Sequence, residues 1–397
     1  MSVKKTLAVP GVFPEWATTG GTTLAPDAAL QATGWAIGDK APALVMNWLQ
    51  NLYYKWIQYF LRMQISNWKL LNYTTPVTTG WGVVFHPEQG TWLMTDNSDH
   101  TWVSQTGINW DDEGELAGFS PIYGWKMDIT NDYIIMCRDE GIQTRDSAGS
   151  WVLVPIATIG TANPTKGVCS QYPNSENIVV VDDEFEVYTA ASVDGVWSAA
   201  ATQPPSPPSG TVQSARIVYA GGSTFYLLAA RIGITKIYKS LDNGANWAVT
   251  ATAPSFSSKA VDMAYDPDNG VLVVVGQNST YAKISYSLDQ GDSWSTATID
   301  YDSSASTNGG LYSVYYCGNG VWAACGVGPT SLSLVDSTKG RILVTSDLEN
   351  WTWVAIDADA GVTGFSFDVR NFASNGKYLV AASKHGVCIC DHNGVAE

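Results

Sequence analysis

Basic residues are scarce in this chain. Lys and Arg together number 21 in 397 residues against 37 Asp and Glu, which leaves a formal charge of −16. Proteins that grip nucleic acid neutralise phosphates with Lys and Arg patches. Here only the short Lys4-Lys5 pair clusters along the sequence, so no nucleic-acid partner is expected, and an anionic membrane surface is disfavoured for the same reason. Histidine is sparser still, at four residues, and the six cysteines (Cys137, Cys169, Cys317, Cys325, Cys388 and Cys390) form no Cys-x-x-Cys pair. Zinc-type ligand spacing is therefore missing, and neither a metal nor a cofactor is expected. Most of these cysteines sit in apolar strand-like runs, where a buried free thiol is the common outcome. The N-terminus lacks the apolar stretch and cleavage site of a signal peptide, which points to synthesis in the cytoplasm with reduced thiols. Also missing are a G-x-S-x-G elbow, an H-E-x-x-H pair and a glycine-rich phosphate loop between strand and helix. Two dense carboxylate groups exist, Asp111-Asp112-Glu113 with Glu115 and Asp182-Asp183-Glu184 with Glu186. Oxygen ligands of this kind can hold Ca²⁺; solvated loop carboxylates are the simpler reading.

Turns and tryptophans are what the chain has in abundance. Ser240-Leu241-Asp242-Asn243-Gly244-Ala245-Asn246-Trp247 recurs as Ser287-Leu288-Asp289-Gln290-Gly291-Asp292-Ser293-Trp294. Each part of Ser/Thr-x-Asp-x-Gly-x-x-Trp has a job at a hairpin tip. The Asp carboxylate accepts from backbone N–H groups a few residues on, the Gly takes a φ > 0 position, and the Trp starts the next strand with a large apolar body. Partial copies are Ser104 to Trp110, without the Asp; Thr144 to Trp151, carrying Asp146; Ser192 to Trp197, carrying Asp194; and Thr345 to Trp351, with Asp347 but no Gly. The six turns recur every 40 to 58 residues, roughly, a period that suits four-stranded propeller blades. Six of the 17 tryptophans belong to these copies, so they are expected in the packed interior rather than on a ligand platform.

The octet resembles the Asp-box, or BNR repeat, of β-propellers such as sialidases, sortilin-type receptors and photosystem assembly factors. Each box is expected between the third and fourth strands of a blade. The strand runs fit: Val261–Tyr265, the turn 266–270, Val271–Val275, then Ala282–Tyr286 leading into a box. Beyond the sixth box, Val369–Ala373, Tyr378–Ala382 and Gly386–Cys390 begin a further blade that lacks its fourth strand. The Trp-led segment from Trp68, residues 68–76, is expected to supply it, since closure removes unpaired edges. The expectation is an all-β, seven-bladed β-propeller over residues 68–397, with six blades as the alternative. Pro204–Pro208 reads as a stiff interblade connection.

Residues 1–41 read as an extended arm. Residues 42–67 read as one amphipathic α-helix about 36 Å long, with Pro42 at a favourable first position and Leu44, Val45, Trp48, Leu49, Leu52, Tyr53, Trp56, Ile57, Phe60 and Met63 on a wide apolar face. Polar residues interrupt every turn, so membrane insertion is not expected. The helix could cap the propeller, or dock into a larger assembly through its aromatics. Gly34-Trp35-Ala36-Ile37-Gly38-Asp39-Lys40-Ala41-Pro42, with Asn47-Trp48-Leu49 and Trp56-Ile57-Gln58-Tyr59, resembles an N-terminal segment of bacteriophage tail and tail-fibre proteins that attaches them to the virion. That resemblance implies an assembly anchor at Trp35, Trp48, Leu49, Leu52, Trp56, Ile57 and Phe60.

Function follows from these two resemblances as an expectation. The chain reads as a virion structural protein, tail fibre or tail-associated, assembled in the host cytoplasm. Its partners would be other virion proteins, further copies of itself as a homo-oligomer, and a host-surface glycan or protein. The alternative is an intracellular propeller scaffold or assembly factor. A sialidase-type glycoside hydrolase would need an arginine triad, but only Arg62 precedes the first box and the chain holds seven Arg in all. The expectation is therefore that the chain is not an enzyme.

Overall fold

The computed structural model describes residues 53, 68–70, 80–96, 98, 100–116, 126–138, 141–156, 164–209, 212–279, 281–299, 310–326, 341–357, 369–383 and 386–391. The arm 1–41 and, apart from Tyr53, the helix expected over 42–67 lie outside them, and so do all seven anchor residues. The architecture is the expected all-β, seven-bladed propeller, with no helical element among the described strands.

Each blade is an antiparallel meander. Blade 1 comprises Gly80–His86, Thr91–Asp96, His100–Ser104 and Asp111–Glu115; blade 2, Met127–Ile129, Ile134–Arg138, Gly141–Arg145 and Trp151–Pro155; blade 3, Thr165–Ser170, Ile178–Asp182, Val187–Ala190 and Ser198–Ala199. Blade 4 is Val212–Tyr219, Phe225–Arg231, Ile234–Ser240 and Ala248–Val249; blade 5, Lys259–Asp266, Val271–Asn278, Tyr281–Ser287 and Ser295–Thr296. Blade 6 is Leu311–Gly318, Val321–Gly326, Arg341–Thr345 and Asn350–Asp357, and blade 7 begins Val369–Ser374, Tyr378–Ser383 and Gly386–Asp391. First strands of successive blades touch in a closed cycle, blade 7 back to blade 1, so they line the central channel. Second strands are mostly apolar and buried, as in Ile178–Val181 and Val271–Val275, because both of their faces meet a neighbouring blade.

The fourth strand of blade 7 is Trp68–Leu70, antiparallel to Gly386–Asp391 with Trp68 opposite Cys390 and Leu70 opposite Cys388. It also runs parallel to the outer strand of blade 6, Trp68 opposite Ile356, and so joins the last two blades into one sheet. The two ends of the ring thus meet within one blade.

Strand direction gives the ring two unlike faces. Turns between first and second strands and between third and fourth strands share one end of every blade; this is the box face. Second-to-third connections and the longer blade-to-blade connections share the other, the loop face. All six cysteines are free thiols. Burial pushes Cys137 and Cys388 up to about 12, so they are inert as nucleophiles near neutral pH.

Candidate functional site: the channel and its two faces

The six repeated turns all lie on the box face, and their polar groups are spent on closing themselves. In the first full copy the Ser240 hydroxyl donates to Asp242 Oδ1 (2.9 Å) and accepts from Gly244 N–H (3.0 Å). Asp242 Oδ1 also accepts from Asn246 N–H at 2.9 Å. The second copy repeats the circuit: Ser287 to Asp289 at 2.7 Å, Gly291 N–H to Ser287 at 2.7 Å, and Ser293 N–H and hydroxyl to Asp289 at 2.8 and 2.5 Å. Hydrogen bonds from Ser293, then Ser287, hold the Asp289 carboxyl down to about 2. Gly244 takes φ +84°, and so does the residue before it, Asn243, at φ +60°. The partial copies keep fragments of the circuit. Asp347 accepts from Asn350 N–H at 2.8 Å, and Asp146 accepts from Ala148 and Ser150 N–H at 2.9 and 2.8 Å. The Asp194 turn closes through Gly195 N–H to the Ser192 carbonyl at 3.0 Å.

The box tryptophans all pack backwards, onto the preceding blade. Trp110 joins the apolar cluster of blade 7, Trp151 that of blade 1, Trp197 blade 2, Trp247 blade 3, Trp294 blade 4 and Trp351 blade 5. Trp110, Trp247 and Trp351 also donate their indole N–H to the carbonyl three residues earlier, at 3.1, 2.8 and 2.9 Å. Trp68 does the same for blade 7, 1% exposed against blade 6. It stands opposite Cys390 as Trp351 stands one step past the Val344–Thr352 pair. These residues are mortar between blades.

Asp111–Glu115, expected in a loop, forms the outer strand of blade 1, paired with His100–Ser104, and its Glu113 is held by Arg145 of blade 2 at 2.5 and 3.0 Å. Asp112 pairs with His100 at 3.2 Å. In the second acidic group Asp182 caps its own turn, accepting from Glu184 and Glu186 N–H at 2.9 Å each, and burial raises its carboxyl to about 6. Among the described residues no three His, Cys, Asp or Glu converge as metal ligands would.

Chemistry gathers instead in the channel, at residues the sequence reading passed over. Asp262 of blade 5 is buried and faces Lys126 of blade 2 across the ring, Nζ to Oδ1 3.3 Å. Arg216 of blade 4 reaches the same oxygen, 3.2 Å from Nε, while Ser313 Oγ–H and Val314 N–H of blade 6 donate to Oδ2 at 2.8 and 3.1 Å. Burial pushes Asp262 up, but the two cations and the donors outweigh it and hold the carboxyl below its ordinary value. Burial lowers Lys126 to about 8 against the pull of Asp262. Asp128, just below, is raised by burial against the N–H groups of Ser170 and Ile129, which it accepts at 2.8 and 2.9 Å.

Towards the loop face the first strands share a further device. Six of the seven skip one residue in register, between Gly80/Gly82, Thr165/Gly167, Val212/Ser214, Ala260/Asp262, Leu311/Ser313 and Val369/Asn371. The skipped residues are Trp81, Lys166, Gln213, Val261, Tyr312 and Arg370. Bulges of this kind re-aim side chains at sheet rims and near sites. The Arg370 guanidinium lies between two rings, 4.7 Å from the centroid of Trp81 and 4.8 Å from that of Tyr312, and Lys259 Nζ stands 5.9 Å from Tyr312. No single run of sequence contains this set; it comes from blades 5, 6, 7 and 1.

No protein-family model and no curated protein matches the chain. Solved structures do. It is similar to virginiamycin B lyase from Staphylococcus aureus (11% identity, TM-score 0.60, covering 82% of this chain and 98% of that one). It is also similar to YCF48 bound to D1 peptide (13% identity, TM-score 0.56, 84% and 98%) and to the computationally designed Ika8 protein (9% identity, TM-score 0.51, 81% and 99%). At these identities the likeness shows the fold alone. It nevertheless corrects the expectation that the chain is not an enzyme. A lyase is built on this ring, so neither the fold nor the missing sialidase arginines argues against catalysis.

Proposed function

We propose that the chain is a virion component of a bacteriophage, in which residues 1–67 hold the particle and the loop face of the propeller meets the host surface. One observation carries the reading. Trp68, the first residue of the ring, sits at the end of its strand that adjoins the box turns, opposite Cys390. The chain therefore enters the ring at the box face, on the opposite side from the blade-to-blade connections. In this reading, attachment and recognition would use opposite faces of the ring. The anchor aromatics, Trp35, Trp48 and Trp56, are the kind of residue that dominates assembly interfaces, and copies of the chain would meet through them.

The test uses the full chain. Light scattering should report an oligomer, and a Trp48→Ser/Trp56→Ser variant should fall to a monomer while keeping the near-ultraviolet dichroism of the ring tryptophans. Antibody labelling should place the wild-type chain on purified particles. A monomeric wild-type chain that is absent from particles overturns the reading and favours an intracellular scaffold.

A further inference from the structure

We propose that Asn319, at the tip of the first hairpin of blade 6, is a site of spontaneous covalent modification. Its amide is lost to the backbone nitrogen of Gly320, and the box face gains a carboxylate there.

The reaction is local and consumes only water. The Gly320 amide nitrogen, once it gives up its proton to solvent, attacks Asn319 Cγ. A new C–N bond closes a five-membered succinimide, the Cγ–Nδ2 bond breaks, and the side-chain nitrogen leaves as ammonia. Water then opens the ring at either carbonyl, giving aspartate or isoaspartate. Glycine favours the attack because no Cβ shields its nitrogen. A folded chain slows it wherever the asparagine side chain and the glycine N–H are hydrogen-bonded, since both must be freed before the ring can close.

The sequence holds six Asn-Gly pairs, of which Asn308-Gly309 and Asn393-Gly394 lie outside the described residues. Three of the other four are held at both reacting groups. Asn243 Oδ1 accepts from Gln171 Nε2 at 2.6 Å, while Gly244 N–H donates to Ser240 Oγ at 3.0 Å. Asn269 Nδ2 donates to Asp266 Oδ2 at 2.8 Å, while Gly270 N–H donates to the Asp266 carbonyl at 2.9 Å. Asn375 Oδ1 accepts from the N–H groups of Lys377 and Tyr378, at 3.0 and 2.7 Å, and Gly376 N–H donates to Ser374 Oγ at 3.0 Å.

Asn319 differs from all three. It is exposed, and its side-chain amide makes no hydrogen bond to any described residue. Gly320 N–H donates to the Tyr316 hydroxyl at 3.3 Å, the longest of the four glycine bonds. Asn319 and Gly320 both sit at positive φ, +53° and +75°, as a two-residue hairpin turn demands. A Cβ on Gly318 or Gly320 would meet nothing within 4 Å, so the turn has open space on either side of the asparagine. The Tyr316 hydroxyl also donates to Asp268 Oδ2 of blade 5 at 3.1 Å. A succinimide nitrogen carries no hydrogen, so ring closure severs Gly320 from this bridge between blades.

The experiment incubates the full chain at mildly alkaline pH, digests it briefly with chymotrypsin in weak acid and maps the peptides by mass spectrometry. Cleavage after Tyr316 and Trp322 isolates the site. The same incubation in guanidinium chloride gives the unfolded rates, which should be similar at all four asparagines. In the folded chain Asn243, Asn269 and Asn375 should each slow by about tenfold or more, the worth of two hydrogen bonds that must break first. Asn319 should stay within a fewfold of its unfolded rate. Gln171→Ala, which frees the Asn243 side chain alone, should speed Asn243 severalfold and leave Asn319 unchanged. Circular dichroism checks that this variant keeps the ring; where it does not, the wild-type comparison of folded and unfolded rates decides. Equal protection of all four asparagines, faster reaction at any of the other three, or an Asn243 rate that a folded Gln171→Ala leaves unchanged overturns the proposal.

Discussion

Asp262 ties four blades together, because blades 2, 4, 5 and 6 all meet on its two oxygens. Its side chain is 3% exposed and that of Lys126 2%. Removing one partner of such a group leaves buried charge uncompensated, which costs about 3–5 kcal/mol. Asp262→Ala should therefore destabilise the ring by that order in denaturant unfolding, and Lys126→Met in the same chain should recover part of the loss. Equal and additive losses would show that the groups do not interact. A surface aspartate behaves differently. Asp289 is held at about 2 against an ordinary 3.8, so its charged form is preferred in the folded state. Its contribution is complete above about pH 4 and disappears as pH falls through 2. Asp289→Asn should thus lower the melting temperature modestly near neutral pH, and the gap to wild type should close between pH 4 and 2. A gap that widens on acidification would contradict the hydrogen-bonded turn.

At the scale of strands and turns, the difference between what could be read and what could not has a physical origin. The full box turns were legible because they are closed by their own side chains within eight residues, so Ser240, Asp242, Gly244 and Trp247 report their conformation locally. Strand order was legible for the same reason: apolar runs such as Val271–Val275 end at turns whose residues name themselves. The direction in which a box tryptophan packs was not, since Trp247 finds Val179 and Val181 some 70 residues away. The bulges were equally hidden. A bulge is a relation between two paired strands, and Lys259-Ala260-Val261-Asp262 looks like any strand until Ala260 and Asp262 are found opposite Gly276 and Val275. Hence the channel cluster escaped notice. Lys126 and Asp262 are 136 residues apart, and an argument from scarce, scattered basic residues counts them as isolated surface charges when the fold in fact collects them. The reading of Asp111–Glu115 as loop failed for a similar reason, because its ladder to His100–Ser104 and the Glu113–Arg145 contact with the next blade are both relations between separate segments.

For the molecule as a whole, closure is the property on which the rest depends. A ring held by contacts between neighbours stays stable only while every seam is shut, and one open seam exposes two sheet edges at once. Here the last seam is shut by three residues that precede blade 1 in the chain but complete blade 7. Trp68 fills the space between blades 6 and 7, touching the cluster that includes Val354, Phe372, Leu379 and Cys390. Truncating a buried Trp to Ala costs about 3–5 kcal/mol, and losing the strand also removes its ladder hydrogen bonds to Gly386–Asp391. Two deletions therefore separate anchoring from closure. A chain starting at Trp68 keeps the whole ring and should melt within a few degrees of the full-length protein. A chain starting at Asn72, shorter by four residues, should be destabilised by several kcal/mol. Its amide exchange should accelerate first along Gly386–Asp391 and Asn350–Asp357, the two strands that Trp68–Leu70 joins. If both chains melt together, the ring does not depend on this closure, and residues 1–67 would have to do more for its stability than hold a particle.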